Sequence, residues 1–246
     1  MVLVNNDTYK SLEFVTKDCP MIILHHLNNS RSQRILWLLE ELNLEYQIKS
    51  YQRDSITNLA PNTLSLIHSL GKSPIITDGD VTIAESGAII EYLIGTYQKE
   101  NSLDQLVDPP RGTEEHRQYT YWLHFAEGTL MPPLVAKLVL DKVRTNAKPF
   151  FVKMIANKIV DKLMASYYGP IIAKNMDYIE SHLAHNRWFS GKELSGADIQ
   201  MSFPLEAAVA RGNTKDFPNI TKFVEKVHAR SAYQAALEKG GKYDYA

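Results

Sequence analysis

The sequence predicts an α/β unit built on a small four-stranded sheet, followed by an all-helical unit. Three observations lead there. Short apolar runs alternate with helix-period segments through about residue 100, a polar stretch closed by Pro109-Pro110 interrupts the pattern, and helical periodicity governs nearly all that follows. Residues 1–19 read as an N-terminal extension, 20–100 as the α/β unit, 101–110 as the linker and 111–246 as the helical unit.

The elements follow in order. Met21 to Leu27 is a short apolar run suited to a buried strand, and Asn28-Asn29-Ser30 suits a loop and a helix N-cap. Ile35, Leu38, Leu39 and Leu42 then recur at the spacing of one buried helix face. Glu45 to Tyr51 reads as a second strand, Pro61 to Ser69 as a short helix and Pro74 to Thr77 as a third strand. The turn Asp78-Gly79-Asp80 leads into a fourth strand over Val81 to Ala84. Glu85 to Tyr97 closes the unit as a helix with Ile89, Ile90, Leu93, Ile94 and Tyr97 on one side.

Beyond the linker, Ile172, Met176, Ile179 and Leu183 form one helical stripe, and Ile220, Phe223, Val224 and Val227 another. Met131-Pro132-Pro133 is expected to end or sharply kink the helix carrying Tyr121, Trp122 and Phe125, because proline removes a backbone donor. In Ser195-Gly196-Ala197-Asp198, a hydroxyl stands three residues before a carboxylate and ahead of an apolar run. That is the spacing of a capping box with Asp in place of Glu, so both residues read as folding determinants.

Composition narrows the function. With 246 residues and 44% apolar content, the chain has ample material for a core. A formal net charge of −1 supplies no basic field for nucleic acid or an anionic membrane, which favours small neutral or anionic ligands. A single cysteine, Cys19, excludes an internal disulfide framework and a cysteine zinc site and fits a reducing compartment. No apolar run approaches the 18 or more residues of a membrane helix, and the opening residues are too polar for a signal peptide. The cytoplasm is the expected location, with peripheral membrane association left open. His25 and His26 are adjacent on a strand and point to opposite faces, so no metal site follows from the histidines.

Two short motifs carry the chemistry. Pro74, after the turn Gly71-Lys72-Ser73 and at the start of a strand, is a candidate cis peptide, since X-Pro reduces the trans preference to about 0.5–1 kcal/mol. Glu85-Ser86-Gly87 opens an apolar helix, where free N–H groups and the dipole attract a carboxylate. Together they describe a slot for a small extended peptide with acidic ends.

These motifs, with the run from Ser30 to Leu42 (SRSQRILWLLEEL), resemble the cytosolic glutathione transferase superfamily, most closely its fungal and bacterial branch. The resemblance extends from about Met21 to the last helices and implies a thioredoxin-like N-terminal domain, an all-α C-terminal domain and a homodimer. It further implies that Ser73 and Pro74 pair with the cysteinyl backbone of glutathione, that Glu85 and Ser86 hold its γ-glutamyl end, and that Lys72 holds its glycyl carboxylate. Glutathione is thus the expected co-substrate, with no metal, and a hydrophobic electrophile or hydroperoxide the expected second partner.

Such an enzyme must generate a thiolate from a thiol whose free pKa is near 8.5, and each unit of lowering requires about 1.4 kcal/mol. Family members place a Tyr, Ser or Cys donor in the loop after the first strand. Here that loop has neither Tyr nor Cys. Ser30 is the first choice as donor, followed by Asn28 and Asn29, and capping alone is the competing role for Ser30. Cys19 precedes the strand and, at about 3.3 Å per residue, falls roughly 20 Å from the loop. Tyr121, Trp122, Phe125 and the Tyr243 to Tyr245 tail are expected to line the electrophile pocket. The alternatives to a transferase are a catalytically silent module of the same fold and a carrier of apolar ligands.

Overall fold

The structure, a computed structural model, describes residues 21–98, 106–212 and 214–246. The N-terminal extension, Cys19 and the first half of the expected linker lie outside the described residues. The N-terminal part runs β1 (Ile22–Leu27), α1 (Ser32–Glu41), β2 (Tyr46–Tyr51), a 3-10 turn (Asn62–Leu66), β3 (Ile75–Asp78), β4 (Val81–Ala84) and α2 (Ser86–Tyr97). Its four strands stand in the order β2-β1-β3-β4. β1 pairs parallel to β2, with Leu24 opposite Ile48, and antiparallel to β3, with Leu24 opposite Ile76. β3 and β4 form an antiparallel hairpin. The mixed sheet with a parallel β1-α1-β2 unit and a C-terminal hairpin is the thioredoxin-like arrangement.

The rest is helical: α3 (Glu114–Phe125), α4 (Met131–Asn146), α5 (Phe150–Leu163), α6 (Gly169–His185), α7 (Gly196–Arg211), α8 (Pro218–His228) and α9 (Ser231–Gly240). Two-residue strands β5 (Leu106–Val107) and β6 (Leu194–Ser195) pair in parallel beside α7. The prolines at 132 and 133 do not break the path of the chain. A π-helical turn over Ala126–Leu130 joins α3 to α4, and the prolines fall in the first turn of α4, where the absent N–H has no helical partner to lose.

One core spans both parts. Ile35, Leu36, Trp37, Leu38 and Leu39 of α1 are all fully buried, because one side of the helix covers the sheet and the other packs on α7 and α9. α7 is the central helix, with every residue from Gly196 to Glu206 buried. A β-carbon at Gly196 would lie 2.6 Å from Ile90 and 2.8 Å from Ile94, so glycine there permits the close approach of α7 to α2. Asp198 accepts bonds from the Ser195 N–H (2.8 Å), the Ser195 hydroxyl (3.0 Å) and the Phe189 N–H (2.8 Å). The capping box therefore also ties the preceding loop to the helix. Burial pushes the Asp198 carboxyl up to about 6 despite these donors.

Candidate functional site

The Ser73–Pro74 peptide is cis, and the Ser73 hydroxyl donates to the His25 carbonyl at 2.9 Å, fixing the turn against β1. Across a cavity of about 200 Å³ stand Glu85 and Ser86 at the start of α2. Glu85 has φ 73° and ψ 116°, a backbone region that costs a non-glycine residue about 1–3 kcal/mol and is concentrated at ligand clamps. Its carbonyl accepts the Ile89 N–H at 2.9 Å, so this conformation begins the helix while the exposed carboxylate edges the cavity. Lys72, Ser73, Pro74, Glu85 and Ser86 are thus brought to one small cavity. Lys72 and Ser73 also line an adjoining cavity of about 430 Å³ that reaches Arg53.

Sequence reasoning missed the charged network beneath. Arg34, wholly inaccessible, donates to the Gln200 carbonyl (2.5 Å), to the Ser86 hydroxyl and to Glu127 (2.5 Å). Arg31 donates through Nε to both Glu127 oxygens at 2.9 Å. Burial alone would raise the Glu127 carboxyl, but Arg34 and Arg31 outweigh it and hold the group below the usual carboxylate range. The π-helical turn supplies Glu127, which joins the helical part to α1 and α2. Arg31 lines all three cavities around the loop. A signal for this network was present, since Arg34 shares an i, i+4 face with Leu38 and a buried arginine requires an anion.

The loop after β1 divides its three expected donors. The cap at Ser30 is one residue displaced: Arg31 is the N-cap of α1, and Ser30 Oγ accepts the Ser32 N–H at 3.2 Å. Ser30 is buried, with its hydroxyl 2.8 Å from that of Ser32, which in turn lies 2.9 Å from His26 Nδ1. Burial lowers the His26 pKa to about 4, so its ring is neutral at ordinary pH. Asn28 and Asn29 instead line a third cavity of about 390 Å³ between the two parts. Asn28 Oδ1 accepts the Arg53 N–H at 2.9 Å. Asn29, at φ 47°, forms a two-point contact with the C-terminal tail: Nδ2 donates to Asp244 Oδ2 (2.7 Å) and Oδ1 accepts the Asp244 N–H (2.9 Å).

The expected pocket lining needs correction. Trp122 and Phe125 are core residues packed with Tyr178, and Trp122 also meets His182 and Phe189. Tyr121 is half exposed beside Tyr178, and none of the three borders the three cavities. Their i, i+1, i+4 spacing reflects helix packing. The apolar walls of the third cavity come from Met131, Leu134, Val135 and Leu138 of α4, Phe203 and Ala207 of α7, and Tyr245 of the tail. Tyr243 is buried, donating to Glu206 at 2.6 Å. Among the described residues no cluster suited to a metal ion is present, and no helix is long and apolar enough to cross a membrane.

Comparison with known proteins agrees with this architecture. The family described as "Glutathione S-transferase, N-terminal domain" matches residues 19–94, and "Glutathione S-transferase, C-terminal domain" matches 147–231. Glutathione S-transferase 3 of Schizosaccharomyces pombe is 39% identical over 89% of this chain and 88% of its own length. Glutathione S-transferase 1 of Saccharomyces cerevisiae is 36% identical over 89% of this chain and 95% of its own. Among solved structures, a glutathione S-transferase from Actinobacillus pleuropneumoniae superposes with a TM-score of 0.72 at 33% identity, covering 92% of this chain and 95% of that one. On fold, motifs and these relatives, the chain belongs to the glutathione S-transferase family.

Proposed function

We propose that this protein binds glutathione and directs its thiolate at a hydrophobic electrophile. The observation that carries the reading is the meeting, in one cavity, of the cis Ser73–Pro74 turn with Glu85 and Ser86 at a helix start. Glu85, with Glu127 behind it, suits the γ-glutamyl ammonium. The Ser86 hydroxyl and the first N–H groups of α2 suit the neighbouring carboxylate. Ser73 pairs with the cysteinyl backbone, and Lys72 takes the glycyl carboxylate.

The thiolate donors are the amides of Asn28 and Asn29, which border the cleft, while Ser30 sits behind them in a buried hydroxyl relay. Donor hydrogen bonds to the thiolate and the adjacent Arg31 and Arg53 guanidiniums favour the charged form. With an aryl halide, the sulfur–carbon bond forms as the halide leaves and the thiol proton passes to solvent. With a hydroperoxide, two glutathiones become the disulfide as the peroxide is reduced to alcohol and water. The cytoplasm is the expected setting and a homodimer the expected assembly, with the exposed Tyr121 and Tyr178 rings offering contact area.

The test measures glutathione-dependent turnover of an aryl halide and an organic hydroperoxide in parallel, with glutathione binding followed by calorimetry. Ser86→Ala is expected to raise the glutathione KM about tenfold, the scale of one charge-assisted hydrogen bond. Asn28→Ala and Asn29→Ala are expected to lower kcat while glutathione still binds. Binding without turnover of any substrate would replace the transferase with a carrier, and absence of binding would leave a silent module of the same fold.

A further inference from the structure

The third cavity, between the two parts of the molecule, is apolar along its walls and unevenly charged. Arg31, Arg53, Lys142 and Arg211 border it against a single carboxylate, Asp244, so a guest there meets a positive field. Two of these cations belong equally to the glutathione end. Arg31 borders both cavities around Lys72 and Ser73 and is engaged by Glu127, and Arg53 borders one of them. Asp244 is clasped to Asn29, whose carbonyl accepts from Arg53 at 3.4 Å, so the lone anion lies toward the same end. Lys142 and Arg211 border neither of those cavities.

An aromatic wall joins the two ends. The Arg31 guanidinium lies 5.6 Å from the centre of the Phe203 ring, Phe203 meets Tyr245 edge to face with centroids 5.8 Å apart, and the Arg211 guanidinium lies 4.7 Å from the Tyr245 ring. Arg211 donates to the Tyr245 hydroxyl, and neither it nor Lys142 has a carboxylate partner among the described residues. The contrast with the adjoining cavity of about 490 Å³ is direct. That cavity shares Leu134, Leu138 and Arg211 with the cleft, but its own lysine, Lys137, is already paired with Asp141 at 2.6 Å. Unpaired positive charge therefore gathers at the end of the cleft that borders neither Lys72 nor Ser73. A guanidinium there suits a carboxylate, because its planar fork matches both oxygens, and a neighbouring ammonium adds charge without demanding a direction.

We propose that the second substrate is a hydrophobic electrophile that carries a carboxylate, which Arg211 and Lys142 bind while Phe203 and Tyr245 pack along its apolar body. This rests on the glutathione transferase reading above and narrows the substrate class of the same cleft. The reacting carbon then lies at the Arg31 end, beside the thiolate, and the carboxylate at the Arg211 end. Arg211 and Lys142 set specificity and take no part in bond making.

Two compounds test it: a chloronitrobenzamide bearing a hexanoic acid on its amide nitrogen, and the methyl ester of that acid. They share one reacting ring, so formation of the sulfur–carbon bond and loss of chloride are chemically alike in both. In glutathione-dependent turnover by the full chain, the KM for the acid is expected to be about tenfold below that for the ester, the scale of a hydrogen bond to a charged group, and the difference is expected to shrink at high salt. Arg211→Gln is expected to remove most of the difference and Lys142→Gln part of it, whereas Arg211→Lys keeps the charge and should retain a preference for the acid. Equal KM values for acid and ester in the wild type would overturn the proposal. So would an Arg211→Gln variant whose KM changes by the same factor for both compounds, since that is the mark of a merely structural role. If neither compound is turned over, the transferase reading fails on its own, and calorimetry of the two compounds with the protein decides the subsite. Tighter binding of the acid, lost in Arg211→Gln, supports it, and equal binding or none overturns it.

Discussion

Replacing Glu127 tests the charged network that joins the two parts of the molecule. Arg34 has no solvent exposure, and in Glu127→Ala its guanidinium keeps only the Gln200 carbonyl and the Ser86 hydroxyl. Breaking a buried ion pair from one side costs about 3–5 kcal/mol, because the remaining charge is left without its partner. The Glu127 side chain retains 30% of its accessibility, so water can partly take its place and the lower end, about 3 kcal/mol, applies. For a chain of this size each kcal/mol shifts the melting temperature by about 2–4 °C, giving a fall of roughly 6–12 °C. Glu127→Gln keeps one acceptor oxygen but loses the charge and the second acceptor, so it should fall between the wild type and the alanine variant. The Glu127 carboxyl is held below its unfolded value, so its contribution is present above the unfolded pKa and is lost as pH falls through the folded one. Thermal melts at pH 7 and near pH 3 measure both effects. A shift under about 2 °C for the alanine variant, or a glutamine variant as stable as the wild type, would refute the claim that charge at Glu127 stabilises Arg34.

Asp198→Ala removes an acceptor serving three buried donors and should destabilise the protein by about 3 kcal/mol or more, read as a large fall in melting temperature. Two buried groups oppose each other in mild acid. The depressed His26 stabilises above the unfolded value of 6.5 and loses that contribution as pH falls toward about 4, whereas the raised Asp198 disfavours the fold as pH climbs from 3.8 through about 6. Asp198→Asn should therefore make the loss of stability between pH 6.5 and 4 steeper than in the wild type, as chemical denaturation across that window would show. Asp244→Ala removes an anion from beside Asn29 and should lower the pKa of the bound glutathione thiol by less than about one unit, given the half-exposed carboxylate. Thiolate absorbance against pH measures it, and an increase would mean that Asp244 chiefly orients the Asn29 amide.

The α/β order of the N-terminal part was legible because its signals are local. Alternating strands and helices, the Asp78-Gly79-Asp80 turn and the X-Pro after Gly71 each act within a few residues. The capping box at Ser195 and Asp198 was legible for the same reason, although its third donor, the Phe189 N–H, required the fold. Glu127 was invisible as a site residue because its role depends on a π-helical turn that aims it at two arginines over 90 residues away. Tyr121, Trp122 and Phe125 misled because an aromatic stripe on a helix has the same spacing whether it faces a core or a cleft.

The clasp between Asn29 and Asp244 has a bearing on how the protein is made. The loop after β1 is held by a residue 215 positions later, and the side of α1 turned away from the sheet is closed by α7 and α9. At about 5–20 residues per second, roughly 10–40 s separate the synthesis of α1 from that of α9. Throughout that interval the nascent chain carries Leu36 and Trp37 without the helix that will cover them. The thioredoxin-like part therefore emerges from the ribosome early yet stays sticky and unfinished, which makes it a natural client for chaperones that shield apolar helices until translation ends.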